Sequence, residues 1–183
     1  MSAPVEVRAA TPADVPSLLE MIRELAAYEQ LAELVETTEE LLHSALFGER
    51  PAAEALIAEH EGEAAGYAIF FPTFSTFLSI QGIWLEDIYV RPLQRRAGIG
   101  RALIAAVAGR LLERGGERLE WSALRWNELA LGFYRRLGAE TMEEWITHRL
   151  DGEALERVAG EGVAAGEAVA GDEGVDRSVE ERR

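Results

Sequence analysis

Strand-like and helix-like stretches alternate from residue 5 to residue 150, and this alternation predicts an α/β fold, a mixed sheet with helices on its faces. Three observations carry the prediction. Short apolar runs have strand length, longer runs repeat at helical spacing between start and stop signals, and a strand leads through a glycine loop into a helix. Residues 5–9 make a short strand. Thr11 then caps a helix, with Pro12 at its first position and Asp14 three residues after the cap. Val15, Leu18, Leu19, Ile22, Leu25 and Ala26 form the buried stripe of that helix. A second helix starts at Thr38, carries Leu41, Leu42, Ala45 and Leu46, and stops at Gly48.

Residues 55–59 and 65–71 flank His60-Glu61-Gly62-Glu63, which reads as a hairpin turn. Residues 83–90 form a longer strand ended by Pro92. A helix over 100–114 buries Leu103, Ala106, Val107 and Leu111 and closes at Gly115-Gly116. A strand over 119–124, a helix over 128–137 capped by Gly138, and one or two closing strands over 141–150 complete the order. No internal repeat is present.

The 183 residues suit one domain of ordinary size, and 48% apolar side chains can fill its core. No uninterrupted apolar stretch approaches the roughly 20 residues that span a bilayer, so no membrane partner is expected. The first eight residues lack the apolar centre of a signal peptide, and a cytoplasmic location is expected on that ground. There is no cysteine, hence no disulfide, thiolate metal site or cysteine nucleophile. With His43, His60 and His148 scattered, no metal site is expected.

Thirty-three acids against 18 basic residues leave a formal charge of −15, and every basic residue is arginine. The missing lysine excludes Schiff-base chemistry and a P-loop. A pI near 4.6 argues against nucleic acid as a partner and favours a cationic substrate drawn in by the field. Residues 159–183 hold five glycines, five alanines and seven acids without an aromatic, leucine or isoleucine. Such a segment buries too little surface to offset its ordering entropy, so residues 1–158 are expected as the folded domain and 159–183 as a disordered acidic tail.

The most informative stretch runs Ile88-Tyr89-Val90-Arg91-Pro92-Leu93-Gln94-Arg95-Arg96-Ala97-Gly98-Ile99-Gly100-Arg101. Backbone N–H groups at a helix start are unpaired, glycines let a ligand approach, and the helix dipole favours an anion. Arginines at 91, 95, 96 and 101 reverse the sign of an otherwise acidic chain, which points to a phosphate-bearing ligand. The R-x-x-G-x-G spacing is not the dinucleotide fingerprint.

Arg95-Arg96-Ala97-Gly98-Ile99-Gly100 resembles the acetyl-CoA pyrophosphate loop of the GNAT acetyltransferases. The resemblance covers about residues 5–150. Leu85-Glu86-Asp87-Ile88-Tyr89-Val90 is similar to a strand of the branch that acetylates spermidine, spermine or thialysine. Trp126-Asn127, Gly132-Phe133-Tyr134-Arg135-Arg136-Leu137-Gly138-Ala139 and Glu24-Leu25-Ala26-Ala27-Tyr28-Glu29 resemble it too. Ser75-Thr76 and residues 85–90 look more like the thialysine members.

The resemblance implies a mostly antiparallel sheet with a splayed central strand pair. It also implies residue roles. Ile88, Tyr89 and Val90 would pair with the pantetheine arm, and Arg95, Arg96, Ala97, Gly98, Ile99, Gly100 and Arg101 would hold the pyrophosphate. Asn127 and Ala130 would touch the cofactor, although Asn127 is also a preferred helix cap. Tyr134 would protonate the departing CoA thiolate; without the family match it reads as a packing residue beside Leu131 and Leu137. Glu86 would accept the proton of the amine. An amine of pKa about 10.4 is neutral in roughly one molecule in 2,500 at pH 7, and restoring the neutral form is equivalent to about 4.6 kcal/mol.

Glu86 and Asp87 are successive strand residues, which ordinarily face opposite ways. Tyr28, Glu29, Asp87, Glu120, Trp121, Ser122 and Glu144 are the remaining candidates for contact with substrate. The sequence thus reads as an N-acetyltransferase that uses acetyl-CoA and a small amine (a diamine, polyamine or thialysine) in a ternary complex, with a homodimer implied by the family. Two alternatives stay open: an acetyltransferase of protein amines, and a module that senses acyl-CoA or polyamine without turnover.

Overall fold

The computed structural model describes residues 4–171, with side chains through residue 162. The chain divides into two compact units, Met1–Glu128 and Leu129–Arg183. The first holds β1 (Glu6–Ala9), α1 (Val15–Tyr28), α2 (Glu39–Phe47), β2 (Glu54–His60), β3 (Glu63–Ser75), β4 (Ile80–Val90), α3 (Ile99–Glu113) and β5 (Arg118–Glu120). The second holds nearly all of α4 (Glu128–Leu137) and α5 (Gly152–Gly171).

The five strands lie in sequence order, antiparallel from β1 to β4 and parallel between β4 and β5. This is the mixed sheet that the order of elements predicts. One face is covered by α1 and α2: Val15, Leu18, Leu19, Met21, Leu42 and Leu46 pack on Ala55, Ile57, Tyr67, Ile69 and Tyr89. The other carries α3, whose Ile99, Leu103, Ile104, Val107 and Leu111 are buried. The Arg110 guanidinium lies over the ring of Phe70 on that second face. β3 is the inner strand of both layers, so Tyr67 and Phe70 are fully buried on opposite sides.

Local signals set the helix ends. Thr38 caps α2 by accepting from Leu41 N–H. At the start of α1 the Asp14 carboxylate accepts from the Thr11 N–H at 2.7 Å and from the Thr11 hydroxyl at 2.8 Å. Arg8 grips the same carboxylate with both terminal nitrogens at 2.7 Å and reaches Glu59 on β2 with Nε at 2.8 Å. One arginine therefore fixes the entry of α1 to two strands.

Three expectations are corrected. The strand over 119–124 is only Arg118–Glu120, because beyond Glu120 it has no ladder partner on β4. No strand forms over 141–150. Glu143-Glu144 followed by Trp145-Ile146 breaks the alternation a half-buried strand needs, and the segment turns instead, with Trp145 N–H on Met142 O. Residues 152–171 wind into α5, so the first part of the expected disordered tail is helical. Alanine and glutamate favour a helix there despite the glycines. Residues 172–183 lie outside the described residues.

Asp14→Ala removes the cap and the bidentate arginine pair together. The expected loss at pH 7 is about 1–2 kcal/mol, or several degrees in Tm by thermal melting. Arg8 holds the Asp14 carboxyl well below its ordinary value. That contribution is complete above the unfolded pKa of about 4 and fades as pH falls below it, so wild type and variant should converge in acid.

Candidate active site

The site begins where β4 ends. After Val90 the chain makes a single 3-10 turn over Pro92–Gln94, and α3 starts at Ile99 with Gly98 as its N-cap. Arg96 and Gly98 both have left-handed backbone, at φ +70° and +86°. Arg96 bears a cost of about 1–2 kcal/mol that a glycine would not. These two left-handed residues lead the chain from the 3-10 turn into α3. The N–H groups of Ile99, Gly100 and Arg101 precede the first helical bond, which Ala102 N–H makes to Gly98 O at 3.0 Å. They stand as donors at the positive end of a 15-residue helix. Close packing holds the loop's base: a Cβ on Gly66 would stand 2.5 Å from Tyr89 O and 3.4 Å from Ile99 Cγ2. His60, buried at the end of β2, donates from Nδ1 to Gln94 Oε1 at 2.7 Å and anchors the turn.

The four arginines of this stretch differ in use. Arg91 is spent on Glu20 and Glu24 of α1 and on Ala64 O. Arg95 donates from Nε to Val90 O at 3.0 Å and lays its guanidinium over the Tyr28 ring at 5.0 Å. Arg96 and Arg101 are exposed. The local positive charge is therefore concentrated at the helix start.

β4 supplies the second part. Its β3 side is paired from Ile80 to Val90, but its β5 side is paired only at Gly82, Ile83 and Trp84. From residue 85 to 90 the edge away from β3 has no strand partner among the described residues, the kind of edge whose alternate N–H and C=O groups can meet an extended ligand. This divergence is the splay that the resemblance implies.

The third part is acidic. Ladder partners pass from Ile69–Asp87 to Phe70–Leu85, so Glu86 is the extra residue of a β-bulge. Strict alternation would put Glu86 and Asp87 on opposite faces; the bulge corrects that expectation. Asp87 shares the α1 face with its partner Ile69. Glu86 accepts from Trp84 Nε1 at 2.9 Å, and Trp84 pairs with Phe71, which points to the same face as Ile69. Both acids therefore serve one side of the sheet. Glu86 is exposed, whereas Asp87 is half-buried and accepts from the Tyr67 hydroxyl at 3.3 Å.

Burial, then the neighbouring Glu86 charge, pushes the Asp87 carboxyl up to about 6. Burial also raises Glu29, one residue past the end of α1. Neither has an arginine partner among the described residues, whereas Asp14, Glu20, Glu24, Glu54 and Glu59 all do. Tyr28 ends α1 and gives its hydroxyl to Asn127 Oδ1 at 3.1 Å, with the Trp126 ring 5.7 Å away. Glu120 closes β5 in an ion pair with Arg118 at 2.7 Å, and Trp121 and Ser122 follow it in the loop.

In the second unit, Ala130 and Tyr134 are half-buried one turn apart on α4, so they share a helix face. The Tyr134 ring lies 5.4 Å from that of Phe133. Glu144 is exposed in the turn after the helix. Tyr67, Trp84 and His60 escape the sequence reading. Tyr67 looks like core and His60 like a turn residue; only ladder register and the loop's return bring them to Asp87 and Gln94.

A glycine turn at a helix start, a strand paired on one side only and a half-buried acid on that strand are the arrangement expected of the GNAT class of transferases. The family model described as the acetyltransferase (GNAT) family matches residues 18–139, and the chain belongs to that family. Thialysine N-epsilon-acetyltransferase of Bos taurus is 38% identical, with 85% of this chain and 98% of that protein covered. L-ornithine N5-acetyltransferase of Arabidopsis thaliana is 32% identical, covering 83% and 86%. An integron cassette protein from the mobile metagenome of V. cholerae has the same fold, with a TM-score of 0.72 at 24% identity over 87% of this chain and 98% of its own.

Gly98→Val places a β-branched side chain at φ +86°. A stability loss of about 1–2 kcal/mol is expected. Calorimetric titration with CoA should show binding weakened at least tenfold, because the left-handed turn that starts α3 is disturbed.

Proposed function

We propose that this chain transfers the acetyl group of acetyl-CoA to a primary amine of a small cationic molecule, of the kind that its relatives' names record: a diamino acid such as ornithine or thialysine, or a polyamine. One observation carries the choice of a cation: Asp87 and Glu29 are acids raised by burial, on one side of the sheet, with no basic partner among the described residues. A carboxylate held at that cost is stabilised by a ligand that brings positive charge. The glycine loop, with Arg96 and Arg101, fits the pyrophosphate of the donor, and the open edge of β4 at Ile88, Tyr89 and Val90 fits its amide-bearing arm.

Acetyl-CoA supplies an activated thioester; the rest is the work of side chains. Asp87 and Glu29 draw in and orient the ammonium group. The Glu86–Asp87 pair then accepts its proton, Asp87 with a carboxyl raised by burial and Glu86 opening to solvent. The neutral nitrogen forms its bond to the thioester carbonyl carbon as the carbon–sulfur bond breaks. Tyr134 is proposed to give its hydroxyl proton to the leaving sulfur, and the second proton, which the nitrogen loses as the amide forms, returns through solvent to the phenolate. Asn127 and Ala130 are proposed as further donor contacts, and Glu120, Trp121, Ser122 and Glu144 as outer walls for the amine. Direct attack needs no acyl-enzyme, and the chain has no cysteine to form one. A homodimer acting in the cytoplasm completes the proposal, with sedimentation and cell fractionation as its checks. No helix among the described residues is long and apolar enough to cross a membrane.

Thiol release from acetyl-CoA, measured against ornithine, thialysine, putrescine, spermidine and a short peptide, tests the reading. Turnover of a small amine is expected, and Tyr134→Phe should lower kcat by about 100-fold or more. Turnover of the peptide alone would overturn the small-amine assignment.

The pH profile tests the acids. As pH falls through about 6, Asp87 takes up a proton and kcat/KM should fall more steeply than amine protonation alone requires. Glu86→Gln removes a charge that raises Asp87, so the steeper limb should move to lower pH. Asp87→Asn should abolish that limb.

A further inference from the structure

A loop that binds an anion through backbone N–H groups works only while its dihedral angles are held. Arg96 and Gly98 supply the left-handed turns, and Arg95 stands immediately before them. Yet Arg95 does not extend toward the helix start. Its Nε is taken by Val90 O, and its guanidinium lies 5.0 Å over the ring of Tyr28. A half-buried tyrosine face is a good seat for a guanidinium, which is planar and weakly hydrated.

The same tyrosine reaches a second segment. Its hydroxyl donates to Asn127 Oδ1 at 3.1 Å, and its ring meets Trp126 at 5.7 Å with a 51° tilt. With Oδ1 accepting from Tyr28, the donor end of the Asn127 amide is turned away from the tyrosine. Two segments proposed to touch the donor, the glycine loop and the entry to α4, thus share one anchor. That anchor is the last residue of α1, adjacent to Glu29.

We infer that Tyr28 is a positioning residue for the acetyl-CoA site: its ring seats Arg95, its hydroxyl orients Asn127, and it ties both to the end of α1 beside the amine site. This rests on the acetyl-transfer reading and replaces the role of Tyr28 as a wall of the amine site. Arg95 becomes a strut of the loop, and charge attraction for the pyrophosphate passes to Arg96, Arg101 and the helix N–H groups.

The test uses the full chain and CoA binding by calorimetry, without amine, alongside steady-state kinetics. Tyr28→Phe keeps the ring and loses the hydroxyl. It should weaken CoA about 3- to 10-fold, the size of one net hydrogen bond, with KM for the amine changed less than twofold. Tyr28→Leu also removes the seat of Arg95 and should weaken CoA by about 10- to 30-fold. In a double-mutant cycle, Tyr28→Phe should add little to Asn127→Ala, because without the asparagine the hydroxyl has nothing to orient. Arg95→Met offers an independent check: it should raise the KM for acetyl-CoA while leaving the salt dependence of CoA binding near that of wild type.

A Tyr28→Phe variant with unchanged CoA affinity and a raised amine KM would overturn the inference and return Tyr28 to the amine site. Additive effects in the cycle would overturn it as well. Failure of the wild-type chain to bind CoA would instead bring down the acetyl-transfer reading itself.

Discussion

The parting of β5 from β4 after Trp84 is the constraint on which the rest of the site depends. A central strand normally spends its N–H and C=O groups on two neighbours, and unpaired buried groups are costly. Here, among the described residues, β4 is paired on both sides for three residues and then on one side only, to Val90. The open edge persists because β3 pairs along the whole of β4 and α1 and α3 cover the faces, so the strand needs no second neighbour to stay in place. Its unpaired groups are the ones proposed to meet the amide-bearing arm of the donor. The bulge at Glu86 falls just past the point of parting, and it turns two consecutive acids to one side at the level where the edge opens.

Charge distribution follows the same division. The chain is strongly acidic, yet most partly buried acids around the sheet are gripped by arginine, often with two nitrogens at once. Exposed pairs of this kind contribute about 0–1 kcal/mol each and mainly set geometry. Arg8 fixes the start of α1, Arg91 its later turns, and Arg114 with Arg110 the end of α3 against β2. Glu29 and Asp87 stand apart from this network, next to the open edge. Acids left without a counter-charge in this way are common at functional sites, and these two are the ones proposed to meet the cationic amine.

The sequence made much of the fold legible because the signals were local. The cap and proline at Thr11 and Pro12, the stop at Gly48, the Glu61-Gly62 turn and the Gly98 start of α3 each act within a few residues; α2 and α3 stand within a residue of their expected bounds, while a 3-10 turn over Pro12–Asp14 precedes α1 and the strands β3 and β4 run beyond the expected 65–71 and 83–90. The ends of β5 and the segment over 141–150 were not legible in this way. A strand exists only where another strand's edge accepts it, and apolar pattern does not report that edge.

For the site, sequence alone determined the chemistry on offer: no cysteine, no lysine, a basic glycine loop at a helix start, and adjacent acids in an apolar strand. Those are properties of residue type and short spacing. Tertiary structure decided which of them act together. Ladder register and a single inserted residue put Glu86 and Asp87 on one face and brought the Tyr67 hydroxyl to Asp87. Chain return over dozens of residues placed Tyr28 between Arg95 and Asn127, and His60 against Gln94. The physical reason is that burial and partner choice, which set a carboxyl's proton affinity or an arginine's direction, belong to the folded surroundings and not to the residue.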